Sequence, residues 1–187
     1  MRRLALVVVF LAAAMAVAEA QTAQAIWIDV PFVQQPRDGC GAASLSMVMQ
    51  YWARQKGQAA DSGADASVET IQRAIYSPKA HGILASSMEG YLRQHGYRVF
   101  ALNGQWSDFE TELRKGRPLI VALRPEGQTA LHYVVVDGVD PDGDSGRGLV
   151  MMNDPAERKL LSQERAAFEK DWSATGNWML LAVPASR

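Results

Sequence analysis

The side chains able to do chemistry in this 187-residue chain are few: one cysteine, three histidines and a scatter of carboxylates. Cys40 stands between Gly39 and Gly41, where loop residues give way to a helical pattern. Leu45, Val48, Met49 and Trp52 recur at i, i+3, i+4 and i+7, the apolar stripe of an amphipathic helix. Cys40 therefore falls in a first helical turn, where unpaired N–H groups and the macrodipole favour a thiolate over a thiol. A cysteine used only for packing has no need of glycine on both sides at a helix start. The spacing marks Cys40 as a nucleophile.

A nucleophilic thiol needs a base, and His132 is the best placed. It opens the run Leu131-His132-Tyr133-Val134-Val135-Val136 directly after the polar loop Arg124 to Thr129, so a rigid strand would hold the imidazole at its mouth. His95 lies on an apolar helix face with Met88, Tyr91 and Leu92 and reads as a packed residue. His81, between Ala80 and Gly82, reads as a solvated turn, with a place in a cleft wall as the alternative. The base in turn needs a group to fix its tautomer. Asp154, at the end of the strand that follows His132, fits that role, and the adjacent Asn153 is chemically able to fill it too. Gln34, six residues before Cys40, is positioned to donate to an oxyanion beside the Cys40 backbone N–H, with Gln35 one register away.

These residues require scaffolding from both halves of the chain. Ile26 to Val33 reads as a strand closed by Pro31 or by the loop from Gln34 to Gly39, followed by the Cys40–Gln55 helix and a loop from Lys56 to Ser67. Ser67 caps a short helix carrying Val68, Ile71 and Ile75, which Pro78 ends. A further helix starts at Ser86 or Ser87 and stops at Gly96. Tyr97 to Leu102 is a strand, and Ser107 caps a helix with Trp106, Phe109 and Leu113 inward. Beyond Pro118 the pattern changes to short apolar strands, Leu119–Leu123, Leu131–Val136, Leu149–Met152 and Trp178–Val183, with one helix from Ser162 to Lys170 between the last two. Helices first and antiparallel strands second indicate an α+β fold. Asp140, Asp142 and Asp144 alternate as in a calcium loop, but Ser145 and Met151 occupy the positions where glycine and glutamate are required, so the stretch reads as a hairpin turn. One cysteine and scattered histidines make no zinc site.

The N-terminal 25 residues read as a targeting segment. Arg2 and Arg3 precede an apolar run from Leu4 to Val17, too short for a bilayer span, and Ala18-Glu19-Ala20 offers a cleavage site with Ala25 as the alternative. The expected route is general secretion to a periplasmic or extracellular space, with no membrane span in the mature chain. Cleavage after Ala20 leaves 167 of the 187 residues, enough for one domain over 26–187. The formal charge of −1 falls to −2 when Arg2, Arg3 and Glu19 are removed, so no basic surface calls for nucleic acid. A lone thiol in an oxidising compartment cannot form an intrachain disulfide and is a liability unless it is used. The sequence carries no signature of oligomeric state.

Taken in order, Gln34…Cys40-Gly41-Ala42-Ala43-Ser44-Leu45, then His132-Tyr133-Val134-Val135-Val136-Asp137-Gly138, then Asn153-Asp154-Pro155 resembles the bacteriocin-processing cysteine peptidase family, papain-like enzymes best known as exporter domains that cut leader peptides after a double glycine. The resemblance covers nearly all of residues 26–187. It implies a papain-like fold, a helical half with the catalytic helix packed on a C-terminal antiparallel sheet, with Cys40 as nucleophile, His132 as general base and acid, Asp154 as orienter and Gln34 as oxyanion donor. It implies a peptide or protein substrate and no cofactor. Exporter members carry aspartate directly before the cysteine, whereas here that place belongs to Gly39 and Asp38 stands one further back. The expected activity is hydrolysis of peptide bonds by an exported cysteine peptidase. The alternatives on the same fold are a cell-wall peptide amidase or acyltransferase, and a non-catalytic peptide-binding module.

Overall fold

In the computed structural model, residues 24–57, 64–143 and 147–185 are described. Residues 1–23 of the expected signal segment, with its Ala20 cleavage site, lie outside them, as do the middle of the 56–67 loop and Asp144 of the aspartate turn. The elements are β1 (Ile26–Trp27), α1 (Cys40–Gln55), α2 (Val68–Ile75), α3 (Ala85–Gln94), β2 (Tyr97–Asn103), α4 (Trp106–Leu113), β3 (Leu119–Leu123), β4 (His132–Asp140), β5 (Leu149–Asp154), β6 (Arg158–Glu164), α5 (Arg165–Ser173) and β7 (Trp178–Pro184). The strands form one antiparallel sheet in the order β2-β7-β3-β4-β5-β6, with β1 added against the far end of β4.

The helix expected from Cys40 carries more than one apolar stripe, because every residue from Gly41 to Met49 is buried. Small side chains make this possible. Ser44 Oγ donates to the Tyr133 carbonyl at 3.2 Å and Ser46 Oγ to the Ala66 carbonyl at 2.6 Å, so both buried hydroxyls are satisfied. Leu45, Val48, Met88 and Leu92 pack with Ile120, Val135 and Leu180 on one face of the sheet. The opposite face is also covered. There Phe109 of α4 and Phe168 and Trp172 of α5 form a ring cluster with centroid separations of 4.9 to 5.7 Å over Val121, Val134 and Val136. The alternation of β4 residues between the two faces explains why its run of valines is buried throughout.

Several boundaries differ from the sequence expectation. The strand over Ile26 to Val33 shortens to β1, since Pro31 interrupts the segment; beyond it Ile28 N–H still donates to the Asp137 carbonyl at 2.9 Å. Ser162 does not cap a helix. It lies within β6, paired with Met151, and α5 starts at Arg165. Nor does Ser107 cap α4, whose first turn is closed by Gln105 N–H donating to Asp108 Oδ2 at 2.7 Å. Ser67 does cap α2, accepting from Thr70 N–H at 3.2 Å. Among the described residues no helix is long and apolar enough to cross a membrane.

Candidate active site

Cys40 begins α1, half-buried and unpaired, with Gly39 in the capping position. Each flanking glycine has a packing reason. A Cβ on Gly39 would lie 2.6 Å from Pro36 Cδ, because Pro36 and Gly39 close a tight turn through a 3.0 Å backbone hydrogen bond. A Cβ on Gly41 would meet Ile83 Cβ at 3.0 Å. The turn also holds Asp38 at φ 55°, so the chain enters the helix abruptly and presents the sulfur at its tip. This geometry accounts for Gly39 standing where exporter sequences place aspartate.

His132 is the first residue of β4 and Asp154 the last of β5, so an antiparallel pair delivers both to one edge. His132 Nε2 lies 2.7 Å from Asp154 Oδ1. The Cys40 side chain also acts on the imidazole, and Nδ1 is the ring nitrogen that Asp154 leaves open to it. Burial works against an imidazolium here, but the hydrogen bonds and charges of Asp154 and Cys40 outweigh it and raise the pKa from 6.5 to about 9. Asp154 is 9 % exposed. Burial alone would raise its pKa, yet the His132 contact and the backbone N–H groups of Ala156 and Glu157 hold it below the usual carboxylate value. Ala156 N–H donates to the same Oδ1 at 2.9 Å. Next to the histidine, the Tyr133 hydroxyl is pushed up to about 12 by burial, with Cys40 adding to the effect, and so stays neutral.

The remaining candidates separate. Asn153 does not orient the imidazole: it is fully buried, donating from Nδ2 to the Val30 carbonyl at 3.1 Å and accepting from Leu160 N–H at 2.9 Å. Of the two glutamines, Gln34 is exposed and does not line the cleft, whereas Gln35 lines it together with Cys40, His132 and Asp154. The register is set by the Pro36–Gly39 turn, and Gln35 N–H is tied to the Pro155 carbonyl at 2.9 Å. Gln35 Oε1 is buried without a hydrogen-bond partner. His95 packs as expected, stacked on Tyr91 at 4.1 Å with Nδ1 2.7 Å from the Tyr91 carbonyl. His81 is more than a solvated turn. Held at φ 48°, it forms part of the cleft wall.

The cleft has a volume of about 810 Å³ and runs between the 80–85 segment and the 128–133 segment, with the sulfur and imidazole on its floor. A second buried carboxylate, Asp137, takes no part. It sits at the β-bulge between Val136 and Gly138, fully buried, with neither oxygen reaching a full hydrogen bond. Burial raises its pKa to about 7, its own backbone N–H and Lys159 working against the shift and Asp29 with it. Among the described residues no group of three or more histidines, cysteines and carboxylates is arranged to hold a metal ion.

The family model described as Peptidase_C39 like family matches residues 27–179 of the chain. The structure is similar to a C39-like peptidase from Bacillus anthracis, with a TM-score of 0.63 at 17 % identity, covering 88 % of this chain and 100 % of that one. It is also similar to the peptidase domain of Streptococcus ComA, a bi-functional ABC transporter involved in a quorum-sensing pathway, with a TM-score of 0.61 at 20 % identity and coverages of 83 % and 99 %. A double glycine motif protease from an AMS/PCAT transporter, solved with its leader peptide, gives a TM-score of 0.57 at 22 % identity and coverages of 85 % and 94 %. At these identities the likeness is one of fold. No curated protein matches the chain.

Proposed function

The chain belongs to the Peptidase_C39 like family of cysteine peptidases, and from that premise we propose that it is an exported hydrolase that cleaves peptide bonds through an acyl-enzyme on Cys40. The observation that carries the reading is the chain of contacts from Cys40 through the imidazole of His132 to Asp154 Oδ1, 2.7 Å from Nε2. Export is supported by the charged and apolar pattern of residues 2–17 and the small residues around Ala20.

In the proposed reaction the Cys40 thiolate attacks the scissile carbonyl carbon and the carbonyl π electrons move to oxygen. The oxyanion accepts hydrogen bonds from the Cys40 backbone N–H and from Nε2 of Gln35, which takes the role first assigned to Gln34. The tetrahedral intermediate collapses, the C–N bond breaks, and His132 gives its proton to the departing amine. Water then attacks the thioester while His132 takes one of its protons. The C–S bond breaks, releasing the carboxylic acid and restoring the thiolate and imidazolium. Asp154 keeps Nε2–H directed away from the sulfur throughout, which leaves Nδ1 as the proton-transfer atom.

The test is single-turnover hydrolysis of a peptide library, with acid quenching and intact-mass measurement. A mass increment on the wild-type protein that maps to Cys40, with no cleavage by Cys40→Ala, is the expected result. Cleavage that survives Cys40→Ala would end the proposal.

A further inference from the structure

We propose that β2 is a docking edge for a second copy of this chain. Two copies join antiparallel through their β2 strands, about a two-fold axis at Phe100, to give one continuous sheet. The proposal stands apart from the peptidase reading. The main path of the sheet ends in β2 on one side and β6 on the other, and the two ends are finished differently. β6 is guarded: it carries Arg158, Lys159 and Glu164, its register against β5 shifts between Met152 and Asp154, and Leu160 sits at φ 55°. Of these devices β2 has only one charge, Arg98. Its seven residues pair with β7 without a break in register, and none is a proline or lies at positive φ. Among the described residues no strand pairs with its outer edge, where alternate N–H and C=O groups are left over.

That edge is apolar. Phe100 is 39 % and Leu102 46 % exposed, and they share a face with Arg98, whose guanidinium lies 5.5 Å from the Phe100 ring centroid. The occupant follows from the strand itself. Turned antiparallel on its own copy about Phe100, β2 sets Phe100 opposite Phe100, Val99 opposite Ala101, Arg98 opposite Leu102 and Tyr97 opposite Asn103. Every residue of the strand finds a partner. An aromatic pair stands at the centre, and the Arg98 stem covers the exposed Leu102 of the other copy. Charge agrees with this register. The two Arg98 side chains stand four residues apart along the strands, about 13 Å, which exceeds the Debye length of about 8 Å at physiological salt. Pairing β2 with β6 of another copy would meet the shifted, charged edge and would repeat without closing. A joint of this length spans about 23 Å. It belongs with small interfaces of roughly 1,200 Å² or less, so the expected dissociation constant is micromolar. His132 and Asp154 lie on β4 and β5, separated from β2 by β7 and β3, so the joint leaves both catalytic clefts open.

The test is sedimentation equilibrium of the mature protein from about 1 to 200 µM, a range that brackets micromolar affinity. The mass is expected to rise from one copy to two and to stop there. Phe100→Lys and Leu102→Lys, both at exposed positions, are each expected to raise the midpoint at least tenfold, with far-UV circular dichroism unchanged. Register is read by disulfide capture in the Cys40→Ala background under mild oxidation. Phe100→Cys is expected to cross-link to itself, because directly opposed Cα atoms lie about 4.5–5.5 Å apart. Arg98→Cys is expected to cross-link with Leu102→Cys and not with itself. A mass of one copy at every concentration overturns the proposal, whatever peptide the edge then binds. A dimer that neither lysine variant weakens places the contact elsewhere and overturns it too, as does a mass that climbs past two copies. Self-cross-linking of Arg98→Cys overturns the axis at Phe100.

Discussion

The two ends of β4 treat a buried carboxylate in opposite ways. At the His132 end, Asp154 is nearly sealed from solvent and still held ionised, because an imidazole and two backbone N–H groups face it. At the bulge end, Asp137 is sealed just as thoroughly without a comparable set of donors, and its pKa climbs to about 7. Burial is common to both, so it cannot decide which acid carries charge. Donors decide. A buried carboxylate surrounded by donors becomes an instrument for orienting a neighbour, whereas a solitary one is a cost that grows with pH.

The largest effect should come from cutting the chain of contacts at its centre. His132→Ala removes the group that moves the proton, and kcat/KM for peptide hydrolysis should fall by roughly 10²–10⁴-fold, with the melting temperature measured alongside to exclude unfolding. Undiminished hydrolysis in this variant would detach Asp154 from any catalytic part. At the other end of the strand, Asp137→Asn should leave kcat/KM alone and change stability instead. Ionising Asp137 in the folded state costs up to about 4 kcal/mol, one pKa unit being about 1.4 kcal/mol. That penalty develops as pH rises from about 4, the usual carboxylate range, to about 7 and is complete above it. Denaturant melts of the two proteins should therefore diverge between pH 4 and pH 8 in favour of the variant; parallel curves would mean that Asp137 finds donors after all.

A smaller change sharpens the same contrast. Asp154→Asn keeps the shape but removes the charge that sustains the imidazolium, so the alkaline limb of the kcat/KM profile should move down from about pH 9. The sign follows from the raised histidine pKa: its stabilisation is fully present below 6.5 and is lost as pH rises through about 9. An unmoved limb would assign the raised value to Cys40 alone. Least of all should be felt at the surface, where Lys159 and Asp29 pair beside Asp137. Lys159→Ala should cost about 1 kcal/mol or less as an exposed pair, while nudging the Asp137 titration upward in a carboxyl NMR experiment. Asp29→Asn should nudge it downward.

The residues that meet in the cleft were legible because each stood at a change of pattern: Cys40 where glycines meet a helical period, His132 where a polar loop meets a valine run, Asp154 before Pro155. What escaped was whatever depends on three-dimensional fit. Spacing left Gln34 and Gln35 both open; that Gln35 is the one lining the cleft depends on the turn in which Pro36 meets Gly39, which no spacing rule encodes. β6 was missed because it is an edge strand whose residues are mostly exposed and give no apolar alternation.

One backbone contact ties these observations to motion. The amide of Gln35, in the segment leading to the nucleophile, is bonded to the carbonyl of Pro155, in the segment leaving the orienting acid. Two segments that line the cleft are thereby fastened across some 120 residues of chain, as numbered in the sequence. Separating the two segments breaks that bond, so the exchange rate of one amide hydrogen would register whether they part.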